Sequence, residues 1–460
     1  MLCHRKRLAL SRPCAACSPT HGNQDVLDIQ AMDLDARGIA YKPDGHRVVV
    51  AGSLPGERVV VRTVKRGVEF DRAQLTNISR ASSQRVNPAC AYFGVCGGCN
   101  MQHLDAAAQV AVKQRILEGL FQTHAGLRPD TVLPAIHGPQ WAYRYRARLS
   151  VRLVPKKGGV LVGFRERNGS YVTDMRTCRI LPPHVSDLLV PLRHVVASLS
   201  QPHRVPQIEV AVGQARTALV LRHIEPLTAD DHAQLRRFGA QHRVVWWLQP
   251  KGPDTAHPLN PDDADALAYT LPDYGLRMPF KPTDFTQVNH AINRTLVRRA
   301  LTLLDPQPSD RVADFFCGLG NFSLPLATRA RAVLGVEGSG ALTARATAAA
   351  HAHGLQYKTR FEVCDLFTVD SPWLNALGRF ERMLIDPPRE GAESLCLALA
   401  GLPSAQRPQR IVYVSCNPVT LARDTAILVH RGSYRLSAAS VVNMFPHTGH
   451  VESMAVFAAG

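Results

Sequence analysis

The chain has 460 residues, 45% of them hydrophobic and 20% charged, which is ample for two to four cores at roughly 150 residues each and excludes a mostly disordered polymer. Lys and Arg number 54 against 37 Asp and Glu, a formal charge of +17, and such an excess favours a polyanionic partner. No apolar run approaches the roughly 18–20 residues of a membrane span, and the basic residues 1–7 lead into no apolar stretch of signal-peptide length, so nucleic acid is favoured over a membrane and the cytoplasm is the expected compartment.

Residues 1–20 read as a basic tail carrying Cys3, Cys14 and Cys17. From 21 to 85, short β-runs at 47–50, 58–61 and 73–78 are broken by Gly38, Gly45, Gly52, Gly56 and Gly67. Closely spaced strands with such turns predict a small OB-like β-barrel, an architecture that often binds oligonucleotides. A Cys-rich segment at 90–99 and a helix over about 106–121 follow, then a strand-rich α+β segment from 141 to 270 and an Asp- and Pro-bearing loop at 254–265. From 281 onward, short apolar strands alternate with helical stretches, the pattern of a parallel, Rossmann-like α/β sheet. The expected organisation is therefore a tail (1–20), a barrel (21–85), a central α+β domain (86–280) and a C-terminal α/β domain (281–460).

Much of the positive charge lies between Trp141 and Pro182, where ten Arg or Lys face two acidic residues. Arg144, Arg146, Arg148 and Arg152 alternate with Tyr143, Tyr145, Ala147, Leu149, Val151 and Leu153. On a strand this pattern puts arginine on one face and apolar groups on the other. A guanidinium row can pair with phosphates or stack on bases; the competing assignment is a solvated outer face.

Eleven cysteines are too few and too unevenly spread for a disulfide framework. Cys90, Cys96 and Cys99 form C-x5-C-x2-C, with Gly97 and Gly98 letting the backbone turn tightly between the last two. Cys178 is the nearest downstream candidate for a fourth ligand. Three clustered cysteines and one distant one suit an iron–sulfur cluster better than zinc, which usually takes two close pairs.

The strand at 311–316 runs into Cys317-Gly318-Leu319-Gly320-Asn321, a glycine turn that lets the backbone approach a ligand. The next strand ends in Glu337, placed to accept hydrogen bonds from ribose hydroxyls. Later strands end at Asp365, Asp386 and Cys416, all expected at the carboxyl edge of the sheet where ligands bind. Without a longer phosphate loop, the turn favours S-adenosylmethionine over a dinucleotide.

Asp386-Pro387-Pro388 would suit methylation of an exocyclic amine if an aromatic residue followed, but Arg389 follows. Cys416 on a strand-to-helix turn and Glu452 at the start of a last strand suit a pyrimidine carbon instead. A thiolate adding to C6 makes C5 nucleophilic, and a base must then remove the C5 proton. Cys416 is the expected nucleophile and Glu452 the expected base, acting on a single-stranded or flipped-out base.

In this sequence the motifs F-C-G-x-G-N-F, I-D-P-P-R, V-S-C-N-P and F-P-H-T-x-H-V-E, with F-T-Q-V-N at 285–289, resemble those of the RNA uracil-C5 methyltransferases. The likeness covers about 21–457. It implies that the barrel is a TRAM domain and that Cys90, Cys96, Cys99 and Cys178 hold a [4Fe–4S] cluster. Gln287, Phe316, Asn321, Glu337, Asp365 and Asp386 are implied contacts to S-adenosylmethionine or the target base. Family members with both barrel and cluster imply 23S ribosomal RNA, at a 1939-type uracil, as substrate. No protein partner is evident. Two alternatives are an exocyclic-amine methyltransferase, which needs no thiol, and a non-catalytic RNA-binding iron–sulfur module.

Overall fold

The structure, a computed structural model, describes residues 24–460; the expected tail with Cys3, Cys14 and Cys17 lies outside the described residues. Two compact units emerge, one of 24–31 and 37–83, the other of 32–36 and 84–460.

In the first region, strands β1 (Gln24–Asp28), β2 (Ala31–Met32), β3 (Arg37–Tyr41), β4 (Arg47–Ala51), β5 (Arg58–Lys65) and β6 (Asp71–Arg80) form a six-stranded sheet in the order β1-β5-β6-β4-β3-β2. Alternate residues of the Val-rich runs turn inward, so Val48, Val50, Val59 and Val61 join Leu27 and Ile29 in a core of their own. Register shifts between β5 and β6 at Arg58/Val59, Val60/Val61 and Thr63/Lys65 insert bulges, which bend a sheet and increase its twist.

The second unit holds a short strand β7 (Thr131–Val132) and a six-stranded sheet of β8 (Arg146–Val154), β9 (Gly159–Gly163), β10 (Gln207–Val212), β11 (Thr217–Arg222), β12 (Val244–Gln249) and β13 (His257–Pro258), ordered β13-β12-β11-β10-β8-β9. A hairpin of β14 (Ala268–Leu271) and β15 (Leu276–Pro279) follows. The last sheet is eight-stranded, built from β16 (Arg311–Phe315), β17 (Ala332–Glu337), β18 (Thr359–Val363), β19 (Arg382–Ile385), β20 (Arg410–Ser415), β21 (Tyr434–Val442) and β22 (Glu452–Ala459), with β7 at its edge, in the order β18-β17-β16-β19-β20-β22-β21-β7.

Strands β16 to β20 run parallel, with helices between them, as the alternation of apolar runs predicts. The chain leaves β16 towards β17 and β18, then returns to β19 on the other side. Strand order therefore reverses beside β16, and in open sheets of this kind the carboxyl ends of the strands flanking such a reversal, here β16 and β19, are where ligands bind.

The expected boundary at 281 does not coincide with a break in packing. Ala218, Val220, Val245 and Trp247 of the six-stranded sheet share one core with Leu296, Val297, Val312 and Val412. The helix Ala106–Leu120, expected in the central segment, sends Leu117 into the core on the other side of the eight-stranded sheet, with Phe315, Ile385 and Tyr413. β7 adds a strand to that same sheet. Buried apolar faces, rather than sequence adjacency, set the unit.

The arginine row also differs from expectation. The strand begins at Arg146, and Ala147, Leu149 and Val151 are buried while Arg148 and Arg152 are exposed. Arg146 is turned inward, donating to the carbonyl oxygens of Pro282 (2.6 Å) and Asp284. Arg144 lies over the Phe164 ring at 6.0 Å, and Arg148 pairs with Glu209 at 3.1 Å. Part of the row thus stabilises the fold, because the loop 281–289 presents carbonyls that need donors. Among the described residues no helix is long and apolar enough to cross a membrane.

Candidate active site

Phe316, just past β16, takes a left-handed conformation (φ 63°), as do Gly318 (φ 55°) and Gly320 (φ 81°). For Phe316 that costs about 1 kcal/mol, and the Phe316 and Cys317 amides, donating to Val336 O at 2.9 and 3.1 Å, hold it. The Glu337 carboxylate at the end of β17 accepts from the amides of Gly318 (3.1 Å) and Ser339 (3.0 Å). Gly335 is required behind the loop, since a Cβ there would meet the Phe361 ring at 2.6 Å. A half-buried carboxylate with spare lone pairs beside an open glycine turn fits the ribose and amino-acid ends of a nucleoside methyl donor.

Asn321 is fastened within the fold: its Oδ1 accepts from Tyr269 Oη and Asn293 Nδ2, both at 2.9 Å, and its Nδ2 donates to Asn293 Oδ1 at 3.0 Å. One Nδ2 hydrogen remains for a ligand. Asp365 is exposed beyond β18, and its Oδ1 accepts from Phe367 N at 3.0 Å. The Phe367 ring stands 5.6 Å from that of Phe316, an aromatic pair that no local sequence pattern announces. Gln287 is half-buried, beside Phe285, which is 71% exposed. Their loop is clamped by Arg146 and by the Arg345–Asp284 ion pair.

Asp386 leaves β19 with its amide on Phe315 O at 3.2 Å. Loss of solvation, with Glu452 and Asp314 nearby, pushes its carboxyl well above the usual range. At β20, Ser415 is the register partner of Ser453 on β22, so Cys416 and Glu452 stand at facing ends of adjacent strands. Ser415 Oγ accepts from Asn417 N (3.1 Å) and donates to Asn417 O (3.0 Å), and Asn417 Oδ1 caps the helix Pro418–His430 through Val419 N (3.1 Å). Cys416 is thereby fixed in a rigid turn at a helix N-terminus.

Glu452 is 3% exposed, and burial pushes its pKa up to about 8. Burial also pushes Cys416 up to about 12, reinforced by the charges of Glu452 and Asp386 and opposed by Arg389. Both shifts favour the protonated form of each group. At one edge of the sheet lie a thiol, a titratable carboxyl and a glycine turn; such a set can add sulfur to an electrophilic carbon and remove a proton from its neighbour.

Cys90, Cys96, Cys99 and Cys178 line one cavity, distant as Cys178 is in sequence. Gly98 N donates to Cys96 Sγ at 3.4 Å, Cys90 N to Gln102 Oε1 at 3.1 Å and Cys178 N to Ser186 Oγ at 2.9 Å. Gly97 lies so close to Arg165 O that a Cβ would stand 3.0 Å from it. Burial, with neighbouring cysteines adding to it, pushes the thiols of Cys99 and Cys178 up to about 12 and about 11. Among the described residues, no three His, Cys, Asp or Glu side chains converge on a single-ion site. A four-iron cluster gives each thiolate its own iron, so four thiols spread around one cavity fit it better than they fit zinc.

Residues 264–356 and 374–459 match the model of the tRNA (Uracil-5-)-methyltransferase family. The chain is 64% identical over 433 residues to the 23S rRNA (uracil(1939)-C(5))-methyltransferase RlmD of Bordetella avium, covering 94% of this chain and 91% of that protein. It is 59% identical over 442 residues to the protein of the same name from Ralstonia pickettii, covering 94% and 98%. The structure of Pyrococcus abyssi tRNA (uracil-54, C5)-methyltransferase in complex with S-adenosyl-L-homocysteine superimposes with a TM-score of 0.70 over 94% of this chain and all of that one, at 22% identity, a likeness of fold.

Proposed function

The chain belongs to the family of RNA uracil-C5 methyltransferases, and we propose that it methylates C5 of a uracil in 23S ribosomal RNA, at the 1939-type position for which its relatives are named. The observation that supports this chemistry most is that β20 and β22 bring Cys416 and Glu452 to one sheet edge, beside the switch-point crevice. We assign contacts to S-adenosylmethionine or the target base to Gln287, Phe316, Asn321, Glu337, Asp365 and Asp386.

Bound S-adenosylmethionine supplies an electrophilic methyl sulfonium. Cys416 Sγ, once deprotonated, bonds to C6, and the C5–C6 π pair moves onto C5 and O4. C5 can then take the methyl group, the electron pair of the CH3–S bond staying with the donor's sulfur, which leaves as the neutral thioether of S-adenosyl-L-homocysteine. Glu452 accepts the C5 proton; the electron pair of that C–H bond restores the double bond as the C6–S bond breaks and the thiolate leaves. A base inside a helix is out of reach, so the uracil must be single-stranded or flipped out.

Cys90, Cys96, Cys99 and Cys178 would hold a [4Fe–4S] cluster, which braces the protein and takes no part in the transfer. The six-stranded sheet of 24–80, within the expected 21–85, would be an OB-like TRAM barrel that adds RNA contacts; the segments 86–280 and 281–460, which share one core, would carry the cluster with its RNA-binding surface and the methyltransferase site, working in the cytoplasm. Tritiated S-adenosylmethionine and 23S rRNA from cells lacking the gene test this. Label should appear at one uracil C5; intact holoenzyme that transfers none to RNA, or labels an exocyclic amine, would overturn it.

A further inference from the structure

The loop 443–450, which delivers the chain to Glu452, makes a dense set of polar contacts with the segment that follows the cysteine motif. Asn100, next after Cys99, donates its amide to His447 O at 3.0 Å, as does Met101 at 2.9 Å. Asn100 Oδ1 accepts from Gly449 N at 2.8 Å, while its Nδ2 donates to Asp35 O at 3.0 Å. Buried Gln109 accepts from His447 N at 2.8 Å and donates back to Met101 O (3.1 Å) and Leu104 O (2.8 Å). Buried Lys113 donates to Asn443 Oδ1 (2.8 Å) and Phe445 O (2.9 Å).

The loop could not keep this path alone. His447 has φ 65°, a strained value for a residue with a side chain. Gly449 passes so close to Leu34 O that a Cβ would lie 2.4 Å away. Such a conformation persists only where its surroundings over-determine it.

We propose that Asn100 is a positioning residue for Glu452: it couples the cysteine loop to the loop 443–450, so that an ordered cysteine loop sets the proton-removal step. This rests on the assignment of Glu452 as the base. Sulfur addition and methyl transfer depend on Cys416, anchored separately through Ser415 and Asn417, and are spared when Asn100 is lost.

Asn100→Ala, Asn100→Asp and Glu452→Gln holoenzymes test the coupling. A denaturing gel reports the methylated protein–RNA adduct, and hydrogen exchange reports the loop. Asn100→Ala should accumulate adduct and lower kcat roughly tenfold to a hundredfold, with KM for RNA little changed. Its amide exchange should rise at 443–452. Asn100→Asp, which keeps an acceptor for the Gly449 amide but turns an oxygen onto Asp35 O, should restore part of both. Adduct with Glu452→Gln but none with Asn100→Ala overturns the coupling alone, whereas no adduct with either overturns the base assignment beneath it. Exchange raised throughout the chain in both Asn100 variants, or unchanged at 443–452, also overturns the coupling.

Discussion

Ser453 Oγ donates to Ser415 O at 3.3 Å across a register pair of β20 and β22. That pairing sets the register of the turn bearing Cys416 against the strand end bearing Glu452. It also separates their roles, since the thiol rides on a helix cap and the carboxyl on a strand start. Cys416→Ala should therefore abolish both methyl transfer and adduct formation. Glu452→Gln should methylate once and stall as a covalent complex, visible as a retarded band on a denaturing gel. A freely turning-over Glu452→Gln enzyme would remove Glu452 from the base role.

Activity should rise with pH. Burial holds Glu452 near a pKa of about 8, so the carboxylate needed to take the C5 proton becomes populated only as pH climbs through that value. Cys416, held up at about 12, adds a thiolate requirement with the same sign. Single-turnover rates between pH 6 and 9 check this, and a flat profile would contradict it.

The same carboxyl makes a stability prediction with the opposite sign. Its folded pKa is raised above the unfolded value of 4.5, so between 4.5 and about 8 the folded state binds more protons than the unfolded one. Stability then falls as pH rises through that window, by up to about 1.4 kcal/mol per unit. Glu452→Gln should melt above the parent at pH 8.5 and close to it at pH 4.5. Equal melting shifts at both values would count against a buried, ionising Glu452.

Arg389 supplies the opposing charge at Cys416, while its carbonyl oxygen accepts from Asn417 Nδ2 at 2.9 Å. Arg389→Ala keeps that backbone contact and removes the cation. The Cys416 pKa should rise further, and alkylation of the thiol at fixed pH should slow. Arg389→Lys should recover part of the rate. Unchanged alkylation in Arg389→Ala would show that the guanidinium does not act on the sulfur.

Much of the site could be read from sequence because its parts are local patterns. A strand followed by a glycine turn and a second strand ending in an acid needs only neighbours: Gly318 and Glu337 are 19 residues apart. Cys416-Asn417-Pro418 likewise contains its own cap and helix start. The supports of Glu452 carry no such signature. Gln109 and His447 lie 338 residues apart, Lys113 and Asn443 330, and a lysine in a helix ordinarily reads as solvated until tertiary packing buries it. The arginine row was legible in part for a related reason: period two gives the exposed Arg148 and Arg152 and the face of Arg146, but not that the loop 281–289 would cover Arg146. Period two also cannot say where one core ends, which is why the boundary at 281 passes through shared packing.

The methyl-donor crevice gives the last prediction, because Glu337 serves two purposes that substitution can separate. Its carboxylate fixes the glycine turn through the Gly318 and Ser339 amides and offers remaining lone pairs to ribose hydroxyls. Glu337→Gln keeps one amide acceptor oxygen but replaces the other with a donor that faces an N–H. The turn should loosen, and a charge-assisted contact worth about 1.5–3 kcal/mol should be lost, so S-adenosylmethionine affinity should fall roughly tenfold to a hundredfold. Gly318→Ala tests the other half, since a side chain at φ 55° costs about 1 kcal/mol without touching the carboxylate. Calorimetric titration with S-adenosyl-L-homocysteine should therefore rank Glu337→Gln below Gly318→Ala, with RNA binding equal in both. Unimpaired titration of Glu337→Gln would mean that the donor binds elsewhere along the sheet edge, and the assignment of Phe316 and Asn321 beside it would go with it.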